Sequence, residues 1–308
     1  MSLLEQFKKM PLAFGGAAIS GEGGGYGFGN ISEKAAISLL QEAFELGVKI
    51  FDSAPIYGFG LSERRIGKAF KSNRDHAFII SKSGVHWHEN KRVDMNNDPK
   101  ITQKMLEQSL RDLQTDYIDL YMIHWPDERI DIRKPFEVLV KAQEQGKIKH
   151  LGLCNTNIDD LSKASQLGKV EVVQSEFNFF NHQAKEQLFP YLRKQDISFM
   201  SWGTLDKGIL TRRVDEQRTF DAADCRSWAP WWNKAENNKK IGALENIWPL
   251  LEERDCLPLQ LALAHNLMYP ELSHCLCGAR SSQQLHGLIN ALENLPSDDL
   301  VKECLELV

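Results

Sequence analysis

The 308-residue chain contains no uninterrupted apolar run of about eighteen residues, so its sequence offers no membrane-spanning helix. Its first residues, MSLLEQFKKM, lack the apolar core of a secretory signal. Cysteine is scarce, with six residues too scattered for a disulfide framework, and Cys275 and Cys277 form a lone C-x-C without a second pair of ligands. That pattern excludes the usual metal sites and fits the free thiols of a cytoplasmic protein. An excess of positive charge is also missing. A net charge of -5 and a pI near 6.0 leave no basic footprint for nucleic acid or an anionic membrane. Finally, the glycine-rich stretch from Gly21 to Asn30, GEGGGYGFGN, completes G-x-G-x-x-G in none of its registers, so the dinucleotide fingerprint of doubly wound sheets is absent. It reads as a loop, either mobile or able to close over a ligand.

What is present is alternation. After a first strand in PLAFGGAAIS (11–20), short runs rich in Val, Ile, Leu and Phe recur at 48–52, 77–82, 117–123, 149–154, 170–174, 197–202 and 272–277. Between and after them lie helical patterns at 34–46, 62–71, 100–113, 134–145, 158–167, 183–194, 258–269 and 281–293, with further helix at 240–254 and 297–307. Eight strand–helix units in a chain of this length predict an α/β fold, a single (β/α)8 TIM barrel over residues 1–308. A doubly wound sheet is the rival, disfavoured by the missing fingerprint.

The stretch from Lys49 to Lys68, KIFDSAPIYGFGLSERRIGK, organises the rest. A strand ends in Asp52, a turn carries Tyr57, and Ser62 reads as the N-cap of the next helix with Glu63 in its first turn. A phenol is useful in proton transfer only if something adjusts its affinity for the proton, which calls for a nearby cation. Lys82 closes the next apolar run and His124 the one after. Parity supports grouping them: Val48, Ile50 and Asp52 alternate alike, as do Phe78, Ile80 and Lys82, and Ile118, Leu120, Met122 and His124. Leu151, Leu153 and Asn155, and Val170, Val172 and Gln174, repeat the pattern. If this face is the barrel interior, all five polar groups emerge at its C-terminal mouth. Lys82 then lowers the Tyr57 pKa, Asp52 holds Lys82 charged, and His124 orients a substrate oxygen.

The pieces FDSAPIYG, IISKSG, DYIDLYMIHWPD, GKIKHLGLCNTN, VVQSEFN, ISFMSWGTLDKGILTRR and CGARSSQQL resemble, in order, those of the aldo-keto reductases. Within that family the running order is similar to the bacterial branch that also includes the potassium-channel β subunits. The resemblance implies a barrel enzyme that reduces an aldehyde or ketone with NADP(H), or with NAD(H), and without a metal. It implies Tyr57 as general acid, Asp52 and Lys82 as its tuning pair, and His124 as the orienting group. For the cofactor it implies Gly16, Ala17 and Asp52 near the ribose and nicotinamide, and Asn155 and Gln174 on the carboxamide. Trp202 would stack on the ring, Gly203, Thr204, Leu205 and Lys207 would line the pyrophosphate loop, and Gly278, Arg280 and Gln284 would surround the adenosine 2′-phosphate. Cys154 stands where the family usually has Ser. The segment 203–238, with Trp228, Trp231 and Trp232, reads as a lid over cofactor and substrate. Two other readings stay open: a sugar or alcohol dehydrogenase working oxidatively, and a nucleotide-binding regulatory subunit. His124 weighs against the second, because the channel subunits depart from His there.

Overall fold

Eight parallel strands close on themselves in the computed structural model, which describes residues 2–21 and 23–308. Their order around the barrel is β1 (Leu12–Gly15), β2 (Ile50–Asp52), β3 (Phe78–Ser83), β6 (Ile118–Ile123), β7 (Ile148–Cys154), β8 (Val170–Glu176), β9 (Ser198–Trp202) and β10 (Leu272–Cys277). An antiparallel hairpin of β4 (Val85–Trp87) and β5 (Val93–Met95) stands apart, after β3. The helices are α1 (Glu33–Glu45), α2 (Leu61–Phe70), α3 (Pro99–Leu113), α4 (Arg133–Glu144), α5 (Ile158–Ser165), α6 (Gln183–Gln187), α7 (Phe189–Gln195), α8 (Lys234–Leu244), α9 (Trp248–Glu253), α10 (Pro258–Leu267), α11 (Ser282–Glu293) and α12 (Asp298–Leu305). The barrel expected from the alternation is therefore the fold.

Where local structure departs from expectation, the cause is local. Only Leu12–Gly15 of the first apolar run is strand, and Gly16–Ile19 winds into a 3-10 turn. The expected helix at 183–194 breaks at Leu188, two residues before Pro190, and α9 begins at Trp248 ahead of Pro249. Ser62 is not an N-cap. Gly60, at φ +87°, occupies that position, and the Ser62 side chain sits one residue inside α2, turned towards the barrel.

The barrel interior is filled by Ala13, Ile50, Phe78, Ile80, Leu120, Met122, Cys154, Val172 and Met200, and Leu4 plugs the N-terminal end. Ile50, Phe78, Ile80, Leu120, Met122 and Val172 confirm the parity on four strands. On β7 it fails: Leu151 and Leu153 pack in the layer between barrel and helices, and Gly152 and Cys154 face inward. The register of β7 on β8 shifts between Leu151 and Gly152, and both faces of the strand are buried, so alternation alone could not say which was inside.

Between barrel and helices lies a carboxyl with no ion-pair partner among the described residues. Glu63 of α2 is fully buried, and burial pushes it up to about 7, against the pull of a hydrogen bond from Ser81. Asp112 of α3 pushes the same way, and Lys82 of β3 pulls back. A carboxyl whose folded value lies above its unfolded value, about 4.3, stabilises the fold below that value and loses the contribution as pH rises through the folded one. The loss amounts to roughly 4 kcal/mol at most. Buried His265 and His274, both pushed down to about 4, act in the opposite sense below about pH 6.5, so the measurement is a comparison. Urea unfolding should show the wild-type protein losing more stability between about pH 5 and pH 8 than Glu63→Gln does. Equal losses would assign the pH dependence to other groups.

Candidate active site

The chemistry gathers where β2, β3, β6, β7, β8 and β9 end. Asp52, the last residue of β2, and Lys82, near the end of β3, are both fully buried and pair at 2.6 Å. Lys82 Nζ also donates to the Ser53 carbonyl at 2.8 Å, and Gln174 Nε2 donates to the second Asp52 oxygen at 2.9 Å. Each charge is thus paired and further hydrogen-bonded, the condition under which a buried ion pair survives desolvation. Burial works against the Lys82 ammonium, yet Asp52 and Tyr57 together raise its pKa.

Tyr57 sits in the loop between β2 and α2. Lys82 Nζ lies 5.5 Å from the centre of its ring, and the His124 ring meets it edge-on at 5.9 Å. The sequence expectation for its acidity is corrected here. Burial pushes the Tyr57 hydroxyl up to about 12, and Lys82 opposes that without overturning it. The phenol therefore holds its proton throughout the physiological range. His124 is driven well below its ordinary value by burial and by the Lys82 charge, so its imidazole is neutral. The tetrad read from parity is brought together, with a lysine, a protonated phenol and a neutral imidazole facing one space.

The remaining expected residues lie at the ends of β1, β7, β8, β9 and β10 and in the segments that follow them. Asn155, at φ +50°, swings off the end of β7, donates to the His124 carbonyl at 2.9 Å and accepts from the Trp202 indole N–H at 2.9 Å. Gln174 is held by Asp52 and by the Cys154 thiol, which donates to its oxygen at 3.6 Å. Both amides intended for a carboxamide are therefore also fastened to the tetrad and to its neighbours. After Trp202, the backbone turns left-handed at Gly203, Asp206, Lys207 and Gly208, and the Asp206 and Gly208 N–H groups donate to the Gly203 and Leu205 carbonyls at 2.7 and 2.9 Å. Thr204 is buried against Ser201 and Leu205 packs into the core, whereas Lys207 lies 5.8 Å from the Trp202 ring centre and pairs with Glu176 at 2.7 Å. Glu176 was missed in the sequence, although it shares parity with Val172 and Gln174.

Gly16 is buried, and a Cβ on it would lie 2.6 Å from the Asp52 carbonyl, so close packing explains this glycine. Ala17 follows it in the same 3-10 turn. Gly278, at the end of β10, is exposed and lies against Ala18. Gln284 accepts from the Arg280 backbone N–H at 2.8 Å, and the Arg280 guanidinium donates to the Asn30 carbonyl at 2.8 Å. The Arg280 Nε is buried without a partner among the described residues. An indole held by Asn155 and the cations Lys207 and Arg280 are chemically suited to a phosphorylated dinucleotide. The described residues contain no cluster of metal ligands.

The segment expected as a lid ends sooner than 238, because α8 begins at Lys234. Its Cys225 N–H donates to the Gly27 carbonyl at 2.9 Å, Asp224 bridges to Phe28, and Trp228 meets Tyr26 with ring centres 5.4 Å apart. It thus joins the glycine-rich loop at the rim. Tyr26, Tyr57, Phe59, Trp87 and Trp125, all partly buried, form an aromatic wall over Ala54, Ile56 and Val85.

Residues 11–308 match the Aldo/keto reductase family. The chain belongs to that family. It is 32% identical over 268 residues to the aldo-keto reductase YhdN of Bacillus subtilis, covering 86% of this chain and 81% of that protein. It is 28% identical to the NADH-specific methylglyoxal reductase of Escherichia coli, covering 90% of each. Among solved structures, the glycerol dehydrogenase AKR11B4 of Gluconobacter oxydans superposes with a TM-score of 0.84 at 28% identity, over 96% of this chain and 90% of that one. This aldo-keto reductase is accordingly an NAD(P)H-dependent oxidoreductase acting on small carbonyl compounds.

The buried pair has a direct consequence for stability. Lys82→Met removes the countercharge of a fully buried Asp52 and should cost about 3–5 kcal/mol in chemical denaturation. Adding Asp52→Asn should recover part of the loss, because the amide needs no cation. A cost below about 1 kcal/mol, the range of exposed pairs, would mean that Asp52 is not left as an uncompensated charge.

Proposed function

We propose that Tyr57 delivers the proton in carbonyl reduction and that Asp52, Lys82 and His124 are the residues that let it do so. The observation that supports this most directly is the fully buried Lys82–Asp52 pair beneath a protonated phenol and beside a neutral imidazole. When bound, the reduced nicotinamide supplies hydride to the carbonyl carbon. As negative charge grows on the carbonyl oxygen, Tyr57 releases its proton to it, and the phenolate left behind is stabilised by Lys82. His124 accepts no proton. Its neutral ring offers an N–H to the same oxygen and fixes the side from which Tyr57 reaches it.

Trp202, Asn155 and Gln174 are assigned to the nicotinamide end and Gly203, Thr204, Leu205 and Lys207 to the pyrophosphate. Gly16 and Ala17 go beside the ribose, and Gly278, Arg280 and Gln284 to the adenosine end. The segment 203–233 and the glycine-rich loop act together as the lid, a reading that their contacts at Gly27, Phe28 and Tyr26 support. The aromatic wall of Tyr26, Phe59, Trp87 and Trp125 favours carbonyl substrates with an apolar or sugar-like face. A substrate panel should include methylglyoxal and glycerol-derived carbonyls, named for the relatives above, and should be run in both directions, since one site serves reduction and oxidation. Six free thiols support a cytoplasmic setting.

Tyr57→Phe should leave NADPH binding nearly intact, as followed by tryptophan fluorescence, and cut turnover by roughly two to four decades. Turnover close to wild type would remove Tyr57 from the chemistry.

Arg280 gives a second measurement. Arg280→Ala should weaken NADPH by about 1.5–3 kcal/mol and change NADH little, the difference being one charge-assisted contact to the 2′-phosphate. Equal losses for the two cofactors would confine Arg280 to its bond with Asn30.

A further inference from the structure

The first turn of α2 touches the Tyr57 loop and the residues beside Asp52 and Lys82. Ser62 Oγ accepts from Ser53 Oγ at 2.8 Å and donates to the Gly16 carbonyl at 3.0 Å. Glu63 Oε1 accepts from Ser81 Oγ at 2.6 Å. Ser53 follows Asp52 in the chain and lends its carbonyl to Lys82, and Ser81 precedes Lys82 on β3. The Ser62 N–H donates to the Tyr57 carbonyl at 3.2 Å, and the Gly60 N–H closes the same loop on Pro55 at 2.7 Å. Ser53, Ser62, Glu63 and Ser81 are all fully buried. Two consecutive residues therefore tie the Tyr57 loop to both members of its tuning pair.

Packing alone does not account for such residues. Along the same barrel–helix layer Leu39, Leu40, Leu106, Leu139 and Leu161 do that work, and an apolar side chain at position 63 would avoid desolvating a carboxyl. A hydrogen bond fixes direction and register where apolar contacts can slide. Strand alternation turns Ser81 outward and Lys82 inward, so holding Ser81 from behind fixes the root of the lysine.

We propose that Ser62 and Glu63 are positioning residues that hold Tyr57 in register with Asp52 and Lys82 from outside the barrel wall. The proposal rests on the tetrad reading above, which Tyr57→Phe tests separately in the same assay. Glu63→Leu should keep wild-type thermal stability, NADPH affinity and KM for the carbonyl, but lose about 10–100-fold in kcat, the scale of small misplacements. Glu63→Gln should restore kcat to within about threefold, because its amide oxygen accepts from Ser81 as the carboxylate oxygen does. Wild-type kcat in a folded Glu63→Leu overturns the proposal, and so does a Glu63→Gln as slow as Glu63→Leu. If Glu63→Leu does not fold, Ser81→Ala decides: a kcat at least threefold lower at unchanged KM supports the clamp, and an unchanged kcat overturns it.

Discussion

A lysine and an aspartate, both cut off from water inside a closed barrel, set the terms for everything at the mouth of this protein. Moving two such charges into the interior costs several kcal/mol each, and their attraction offsets that cost only when the remaining lone pairs and protons are satisfied. Lys82 meets Asp52 and the Ser53 carbonyl, and Asp52 meets Lys82 and Gln174, so the pair draws β2, β3 and β8 into one arrangement. A closed sheet makes this possible. Every strand end points to one rim, and residues far apart in sequence become neighbours there without any long loop to place them.

From that pair the rest of the site follows by proximity. Burial, helped by the Lys82 charge, keeps the His124 imidazole neutral, and the same charge opposes the rise in the Tyr57 pKa that burial imposes. Asn155 ties β7 to the backbone of His124, and Trp202 is fixed through Asn155, so the indole's orientation is inherited from the tetrad. Lys207 repeats the device one layer further out, set between Glu176 and the Trp202 ring. The charges form a graded series from buried to half-exposed.

Much of this was legible in the sequence because alternation has a two-residue period and a barrel has one mouth. Asp52, Lys82, His124 and Gln174 could be grouped by parity before any coordinates. Asn155 was grouped correctly for a wrong reason: its strand carries Leu151 and Leu153 outward, and a left-handed residue, not alternation, turns the amide to the mouth. Ser62 misled because a serine after Gly-Phe-Gly-Leu is the commonest of N-caps, and only the φ of Gly60 reveals the true start of α2. The hairpin of β4 and β5 was missed although Val85-His86-Trp87-His88 and Val93-Asp94-Met95-Asn96 both alternate around Asn90, because each run is only three or four residues long. Glu63 looked like an ordinary first-turn acid. Its burial is a tertiary fact, decided by Ser81 and Ser109 on elements that local patterns cannot bring together.

The acidity of Tyr57 shows how burial and charge divide the labour. Sequence logic assigns Lys82 the task of lowering the phenol's pKa, but in the folded protein desolvation is the larger influence and the value rises to about 12. A proton donor does not need to be ionised beforehand; it needs to keep its proton until a stronger base appears. A carbonyl oxygen becomes that base only as negative charge develops on it. In the reaction proposed above, Lys82 would matter most after the proton has left, as the countercharge of a phenolate in a buried position. The same burial that raises the phenol's pKa would strengthen the attraction between phenolate and ammonium. On that reading, burial holds the proton before reaction and magnifies the contribution of Lys82 once it has gone, which suits a cation placed inside the barrel and paired with Asp52.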